Sequence, residues 1–212
     1  MSNSKVISKN FLTPDAFTLK VEKGDFKITA GQCFNLGLIG EGINREYSIY
    51  SSANASYLEF LIRRMDGGLV SDQLSKLMPG DSIEVDGPYG EFCLNIEDLE
   101  NKFVFIASGT GIAPFHSFIN TFPNLDYLLV HGIRLNEEAY ESHSYAPGRY
   151  VPCISQNQLG PKQRVTDFLK DNTLPIEARY YLCGNRNMIV DSVDILLESG
   201  ISGDQIITEV FF

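Results

Sequence analysis

A glycine-rich turn, SGTGIAP at residues 108–114, is the first feature of the sequence that could bind a ligand. It follows the apolar run FVFIA (103–107) and precedes a helical pattern that begins at Ala113. Gly109 and Gly111 allow a tight turn that brings backbone N–H groups close to an anion, and the helix dipole favours negative charge there. No Gly-Lys-Ser/Thr follows, so the turn is not a Walker A loop. The pattern predicts a phosphate site, with a plain strand-to-helix turn as the alternative.

A second candidate site is REYS at residues 45–48. The guanidinium of Arg45 can bind a phosphate with two parallel hydrogen bonds. In a strand, Tyr47 shares the face of Arg45 and Ser48 points to the other face, unless the strand ends or bends there. An aromatic ring beside a phosphate-binding group suits a flat heterocycle. The alternative is a surface arginine next to a half-buried strand tyrosine.

The third candidate site combines the run LIR (61–63) with GGLVS (67–71). The sequence 68–78 has apolar residues at helical spacing, which predicts a helix that starts near Gly68. Arg63, the Ser71 hydroxyl and the exposed amides of that helix start would together form another anion site. A Gly-Gly turn into an amphipathic helix is the alternative.

The elements that must hold these residues change in type near residue 100. Before it, short β-like runs are separated by Gly, Asn, Pro and Asp, at 16–21, 32–38, 46–50, 58–63 and 82–85. This spacing is typical of an antiparallel barrel or sandwich. We predict an N-terminal domain at residues 1–97, an antiparallel Greek-key β-barrel.

After residue 100, strand and helix patterns alternate. The strands are predicted at 103–107, 127–133, 150–154, 180–183 and 206–210, and the helices from 113, near 137–144, at 164–170 and at 187–199. Such alternation predicts a Rossmann-like parallel sheet at residues 98–212, with its ligand site at the carboxyl ends of the strands. Cys183 and Gly184 end the fourth of these strands, where either a site residue or a buried small thiol is expected.

Composition excludes several classes of protein. The net charge is −10, from 17 basic and 27 acidic residues, which argues against nucleic acid as a partner. No apolar run reaches the roughly 18 to 20 residues that span a bilayer, and the N-terminus lacks a secretory apolar stretch, so we expect a cytoplasmic protein. The four cysteines and three histidines are too scattered for a metal site, and we predict none.

Six motifs, in this order, resemble those of the ferredoxin/flavodoxin–NADP(+) reductase superfamily of flavoproteins. They are R-x-Y-S, an apolar strand that ends in Arg, GG-x-x-S, GPYG (87–90), GTGIAP and CGNRNM (183–188). The resemblance extends from about residue 17 to the end of the chain. It implies that the barrel binds FAD and that the α/β domain binds NAD(P)H.

The resemblance assigns the flavin contacts. Arg45 and Arg63 are expected to hold the pyrophosphate, Tyr47 to stack on the isoalloxazine, and Ser48 to hydrogen-bond near its N5. The implied FAD-binding residues are Arg45, Tyr47, Ser48, Leu61, Ile62, Arg63, Gly68, Leu69, Val70, Ser71, Thr110, Phe211 and Phe212.

The resemblance also assigns the nicotinamide side. Thr110 is expected at the flavin side of the nicotinamide slot, and Cys183 beside the nicotinamide C4 in a positioning role. The implied NAD(P)-binding residues are Gly109, Thr110, Gly111, Arg134, Ser155, Arg164, Cys183, Gly184 and Met188, and the implied catalytic residues are Tyr47, Ser48, Cys183 and Phe212. Because the cofactors carry out the hydride transfer, no acid–base pair is required.

The C-terminus has the family pattern Glu-x-aromatic at Glu209 and Phe211, with Phe212 one residue beyond it. The resemblance implies that one of the two rings lies over the flavin and moves when the nicotinamide docks. The alternative is that both rings pack the last strand.

The choice between NADPH and NADH depends on cations near the adenosine ribose. Arg134 and Arg164 match two family positions that hold the 2′-phosphate, whereas Gln156 after Ser155 replaces a third arginine. We expect NADP(H), with NADH as the alternative coenzyme and Lys162 as a substitute for the missing cation.

The resulting functional prediction is an oxidoreductase that moves a hydride between NADP(H) and FAD and single electrons between FAD and a ferredoxin or flavodoxin. One alternative is an NAD(P)H-dependent flavin, ferric or oxygenase reductase component. Another is a non-catalytic flavin subunit of a larger redox complex. The sequence does not determine the electron acceptor, the direction of electron flow or the oligomeric state.

Overall fold

The computed structural model describes residues 2–157 and 160–211, and the chain forms two compact units. The first unit comprises Met1–Leu94 and Ala113–Pro123, and the second comprises Asn95–Ile112 and Asn124–Phe212. A single domain boundary between residues 97 and 98 stays a prediction, since residues 113–123 group with the first unit. No helix within the described ranges is long and apolar enough to cross a lipid bilayer.

The first unit is an antiparallel sheet of six strands. These are β1 (Ser2–Thr13), β2 (Ala16–Glu22), β3 (Cys33–Leu38), β4 (Asn44–Ser48), β5 (Tyr57–Arg63) and β6 (Ser82–Tyr89), in the order β4-β3-β6-β1-β2-β5. An antiparallel bridge between Ile49 and Phe60 joins the two edges of the sheet. A core of alternating apolar side chains, among them Phe34, Leu36 and Val85, fills the interior. The predicted antiparallel barrel is confirmed.

Helix α2 (Ala113–Thr121) belongs to the first unit, where its polar side chains form hydrogen bonds to the backbone of the segment that follows β4. Nδ1–H of His116 donates to the Tyr50 carbonyl at 2.7 Å, and the two rings stack with their centroids 3.7 Å apart. The Ser117 hydroxyl donates to the Ser51 carbonyl at 2.7 Å. His116 thus packs against Tyr50 and joins α2 to the segment that follows β4.

Local sequence patterns missed one strand of the first unit and predicted one helix that is too long. Strand β1 was not predicted, because its side chains alternate poorly and its two halves pair with different strands. The helix predicted at 68–78 is reduced to α1 (Ser71–Leu74). Lys9 takes the carbonyls of Ser75 and Leu77 as hydrogen-bond acceptors, which removes them from a continued helix.

The second unit is a parallel sheet of five strands with two α-helices. The strands are β7 (Lys102–Ser108), β8 (Asp126–Ile133), β9 (Tyr150–Ile154), β10 (Arg179–Asn185) and β11 (Ile206–Phe211), and the helices are α3 (Val165–Asp171) and α4 (Arg186–Glu198). The spatial order is β11-β10-β7-β8-β9, and every pairing is parallel. The predicted Rossmann-like sheet is confirmed. Its strand order reverses between β7 and β10, so a ligand is expected at their carboxyl ends.

The segment after β8 contains no α-helix, although the sequence predicted one near 137–144. It forms two short 3-10 helices, Asn136–Glu138 and Ser142–Ser144. Between them, Glu141 has a φ of 47°, a left-handed conformation that interrupts any helix.

Candidate functional site

Arg45 and Tyr47 lie on one face of β4, in the arrangement predicted from strand alternation. The Arg45 guanidinium is exposed, and its Nη1 donates to the Asn44 carbonyl at 2.8 Å. Tyr47 packs against the barrel core, and burial raises the pKa of its hydroxyl to about 12, so the hydroxyl stays protonated. Ser48 ends β4 and is buried. Together Arg45 and Tyr47 present a cation beside a half-buried aromatic surface.

Arg63 and the loop at 67–71 lie at the end of β5. The Arg63 guanidinium lies 3.4 Å from the Asp15 carboxylate and keeps nearly half of its surface exposed. The Ser71 hydroxyl accepts the Met65 N–H at 3.1 Å, which leaves its own hydrogen to donate. A Cβ on Gly68 would approach the Met65 carbonyl oxygen to 2.8 Å, so only glycine allows this closed loop. Two guanidiniums, a hydroxyl donor and a half-buried ring fit the phosphates and ring system of FAD.

The other flavin-contact candidates differ in exposure. The side chains of Leu61, Ile62 and Val70 are buried, so only their main chains could face a ligand. Leu69 is exposed, in contrast to the apolar helix face that the sequence predicted. Thr110 is half-buried in the second unit.

The carboxyl ends of β7 and β10 meet where the strand order reverses. A Cβ on Gly111 would lie 2.5 Å from the Cys183 carbonyl oxygen, and one on Gly184 would lie 2.4 Å from the Ser108 Oγ. The Asn185 N–H donates to the same Oγ at 2.9 Å. The structure therefore brings together the glycine-rich turn and the Cys-Gly strand end, which are more than 70 residues apart in sequence. Ser108, which had no predicted role, thus contacts both Gly184 and Asn185.

Cys183 is fully buried, and its thiol donates to the Glu209 carboxylate, with Sγ 3.8 Å from Oε2. Parallel pairing of β10 with β11 places the two residues side by side. Burial raises the pKa of the Cys183 thiol well above its usual value, and the Glu209 charge adds to this effect. The thiol stays protonated at neutral pH, so it is a poor nucleophile and suits a positioning role. The contact of Glu209 with Cys183 was not predicted, because the sequence shows Glu209 only as part of the terminal Glu-x-aromatic motif.

A second group of candidates lies at the carboxyl ends of β8 and β9. The Arg134 guanidinium donates to Oε1 of the buried Glu138 at 2.7 and 3.0 Å, and the Arg134 N–H donates to Oε2 at 2.7 Å. Ser155 lies beside this segment, since its N–H donates to the Ile133 carbonyl at 2.9 Å. Arg164 is exposed at the start of α3. The Glu138 partner was not foreseen, because nothing in the sequence shows how the segment after β8 turns back.

The remaining candidates lie at the ends of β10 and β11. Asn185 caps α4, and its side chain accepts the backbone N–H of Met188 at 3.5 Å. Phe211 is the last residue of β11 and is partly buried. Phe212 lies outside the described residues.

Comparison with known families assigns a different domain to each half of the sequence. Residues 1–93 match the oxidoreductase FAD-binding domain, and residues 105–194 match the oxidoreductase NAD-binding domain.

Individual proteins give the same result. The chain is 34% identical over 142 residues to the reductase subunit of an aromatic O-demethylase from Amycolatopsis sp., a match that covers 59% of this chain and 42% of that protein. It is 25% identical over 256 residues to a ferredoxin–NADP reductase of Azotobacter vinelandii, with 100% and 99% of the two chains covered. A crystal structure of a ferredoxin–NADP+ reductase from Neisseria gonorrhoeae with bound FAD and NADP superposes with a TM-score of 0.85, at 26% identity and with 100% and 98% of the chains covered. The chain belongs to the ferredoxin–NADP reductase superfamily, with an oxidoreductase FAD-binding domain followed by an oxidoreductase NAD-binding domain.

Proposed function

We propose that this protein oxidises NADPH through a tightly bound FAD and passes the electrons singly to a ferredoxin or flavodoxin. The observation that carries the proposal is the junction of β7 and β10, where the Gly109–Gly111 turn packs against Cys183 and Cys183 contacts Glu209. The end-to-end match to a ferredoxin–NADP reductase supports the choice of acceptor. We place the functional boundary between residues 97 and 98 and the protein in the cytoplasm, where NADPH is available.

On the flavin side, the residues of the first unit bind and orient. We assign Arg45 and Arg63 to the pyrophosphate, with the amides and hydroxyl of Gly68–Ser71 as further donors. We assign Tyr47 to supply a ring surface and Ser48, at the end of β4, to the edge of the ring system. When bound, FAD supplies the chemistry that links two-electron hydride transfer to single-electron transfer.

On the nicotinamide side, the residues of the second unit fix geometry. The turn at Gly109, Thr110 and Gly111 offers backbone donors to the coenzyme pyrophosphate at a sheet switch point. The thiol of Cys183 is buried, protonated and held by Glu209, so we assign Cys183 a positioning role behind the nicotinamide slot. We assign Gly184, near the end of β10, and Met188, in the first turn of α4, to the same nicotinamide slot. These residues would increase the rate of hydride transfer by holding the coenzyme so that its reacting carbon is aligned with the flavin.

Arg134 and Arg164 are assigned to the 2′-phosphate of NADPH. Arg164→Ala is expected to raise the KM for NADPH about tenfold and to leave the KM for NADH nearly unchanged, because NADH has no 2′-phosphate. Arg134→Ala is expected to raise the KM for NADPH and also to lower the Tm, since it leaves the Glu138 carboxylate buried without its cation. Steady-state kinetics with both coenzymes and thermal melts measure these effects. Equal losses with NADPH and NADH would show that the arginines bind a shared part of the coenzyme or are structural.

One of the two terminal phenylalanines, Phe211 or Phe212, is assigned to cover the flavin until the nicotinamide docks. A stacked ring opposes coenzyme binding by about 1 kcal/mol, so its removal is expected to tighten NADP+ binding about fivefold. Deletion of Phe212 alone has this effect if Phe212 is the cover, whereas only deletion of both residues has it if Phe211 is. Titration of the oxidised holoprotein with NADP+ distinguishes the two cases. Unchanged affinity in both variants would mean that the rings only pack the last strand.

The proposed function is tested by a spectrum of the purified protein followed by stopped-flow kinetics. We expect one FAD per chain, rapid bleaching by NADPH and slower bleaching by NADH, and reoxidation by a ferredoxin or flavodoxin. A protein that contains FMN or no flavin, or that is not bleached by either coenzyme, contradicts the proposal.

A second candidate acceptor is the terminal component of an oxygenase. The net charge of −10 favours it, because a small acidic carrier would be repelled at long range unless basic residues cluster near the flavin. The similarity to the reductase subunit of an aromatic O-demethylase points the same way. Rapid reoxidation by an oxygenase component, with slow reoxidation by ferredoxin and flavodoxin, would establish this second candidate.

A further inference from the structure

His131 is buried on β8 and touches the glycine-rich turn, yet no part of the proposed function uses it. Its side chain is fully inaccessible to solvent. Nε2 lies 2.8 Å from the carbonyl oxygen of Gly109, and Nδ1 lies 3.0 Å from the hydroxyl oxygen of Tyr150. These two contacts place the imidazole between the turn and the edge strand β9.

The two contacts determine the tautomer of the ring. A carbonyl oxygen can only accept, so Nε2 must carry a hydrogen and donate it to Gly109. In a neutral imidazole Nδ1 is then an acceptor, and Tyr150 donates its hydroxyl hydrogen to it. Burial lowers the pKa of His131 to about 4, although Glu138 and the Gly109 carbonyl oppose this shift. Burial also raises the pKa of Tyr150, so both groups stay neutral at physiological pH.

A fixed carbonyl also fixes the amide on the other side of the same peptide bond. The Gly109 carbonyl and the Thr110 N–H belong to one planar trans peptide, in which the two groups point in opposite directions. Because the carbonyl points at His131, the Thr110 N–H points away from it. The positive φ of Gly109, 54°, gives the turn the left-handed residue that anion-binding backbone nests use. If this peptide flipped, a carbonyl oxygen would face an incoming phosphate instead of an N–H.

We propose that His131 is a positioning residue that holds the Gly109–Thr110 peptide in the orientation that binds the coenzyme pyrophosphate, with Tyr150 as the donor that fixes its tautomer. The proposal rests on the assignment of the glycine-rich turn to the coenzyme. It predicts a role for His131 in coenzyme affinity without any proton transfer.

The first test is the protonation state of the ring in the FAD-loaded protein. In ¹⁵N-histidine spectra, the His131 signals are identified by their loss in His131→Gln. We expect a neutral ring with hydrogen on Nε2 that does not titrate between about pH 5.5 and 8.5. A hydrogen on Nδ1, or a ring that titrates near pH 6.5, would overturn the proposal.

The second test is equilibrium binding by calorimetry. The probes are NADP+ or NAD+, whichever the wild type binds more tightly, and the matching fragment without pyrophosphate, adenosine 2′-monophosphate or adenosine. His131→Leu is expected to weaken dinucleotide binding about tenfold and to leave fragment and FAD binding unchanged. His131→Gln is expected to restore most of the affinity, because its amide nitrogen can donate from the position of Nε2.

The Tyr150→Phe variant tests the proposal even if His131→Leu does not fold. It is expected to weaken dinucleotide binding two- to threefold, a small loss because only the tautomer preference is relaxed. The matched control is Tyr180→Phe, which removes another hydroxyl of the same unit, one that donates to the Pro175 carbonyl at 2.9 Å, and should not change binding.

The outcomes separate this proposal from the function on which it rests. If the wild type binds neither dinucleotide, the proposed function fails. If the wild type binds but His131→Leu binds equally well, or loses fragment and dinucleotide affinity in the same proportion, the positioning role fails while the function stands.

Discussion

Gly111→Ala is expected to reduce NADP+ affinity about a hundredfold, because a displaced turn loses about 3 kcal/mol, the upper range for a hydrogen bond to a charged group. The new Cβ would lie 2.5 Å from the Cys183 carbonyl oxygen and 2.6 Å from the Gly184 Cα. Both are backbone atoms of β10, so no side chain can rotate away and the turn itself must move. Overpacking of this kind also costs about 1–3 kcal/mol of stability. Titration of the holoprotein with NADP+ and a thermal melt measure the two effects.

The control for this variant is Gly203→Ala in the same unit. Gly203 has no atom within 4 Å of an added Cβ, so the substitution should change neither property beyond about 0.5 kcal/mol. FAD content should be unchanged in both proteins, because the first unit contains the residues assigned to the flavin. If Gly111→Ala binds NADP+ as tightly as the wild type does, the turn is not the coenzyme site.

Arg45→Ala is expected to weaken FAD binding by about 1.5–3 kcal/mol, the range for a hydrogen bond to a charged group. The guanidinium is exposed on β4 beside Tyr47 and makes a hydrogen bond only to its own neighbour, the Asn44 carbonyl, among the contacts described for it. The Arg45 guanidinium can therefore reorient toward a phosphate without breaking any ion pair described for it. The dissociation constant of FAD, measured by fluorescence recovery on release, should rise by roughly 10- to 150-fold.

Three further variants make this result specific. Arg45→Lys should show an intermediate loss, because it keeps the charge but not the two-pronged donor. Arg63→Ala should show a smaller loss than Arg45→Ala, since Asp15 already shares the Arg63 charge at 3.4 Å. Lys27→Ala removes an exposed cation from the same unit and should leave FAD binding unchanged. Wild-type affinity in Arg45→Ala would contradict its assignment to the phosphate.

Much of the fold follows from local patterns in the sequence. Within the described residues, the patterns of apolar residues predicted ten of the eleven strands and the positions of α2, α3 and α4. The alternation of strand and helix after residue 100 predicted the parallel sheet, because two parallel strands must be joined by a crossover connection, which is usually a helix. The motifs were also local, since each predicted phosphate-binding turn consists of glycines and a few neighbours in sequence.

Local patterns failed where the stabilising contact comes from a distant segment. Strand β1 forms because β6 pairs with Ser2–Lys5 and β2 pairs with the rest of the strand, although its own sequence alternates poorly. Helix α1 is short because Lys9, more than 60 residues away in sequence, binds the carbonyls that would continue it. Neither partner could be identified from the residues of the segment itself.

The sequence by itself determined which residue types stand at the carboxyl ends of the strands, and with them the family and its two cofactors. Tertiary structure alone decided which of those residues meet. The contact of Cys183 with Glu209 depends on the register of β10 against β11. The contact of His131 with Gly109 depends on the register of β8 against β7, which pairs His131 with Ala107. The ion pair of Arg134 with Glu138 depends on how the segment after β8 turns back. Spacing along the chain encodes periodicity, whereas register and loop path are fixed only when all strands pack together.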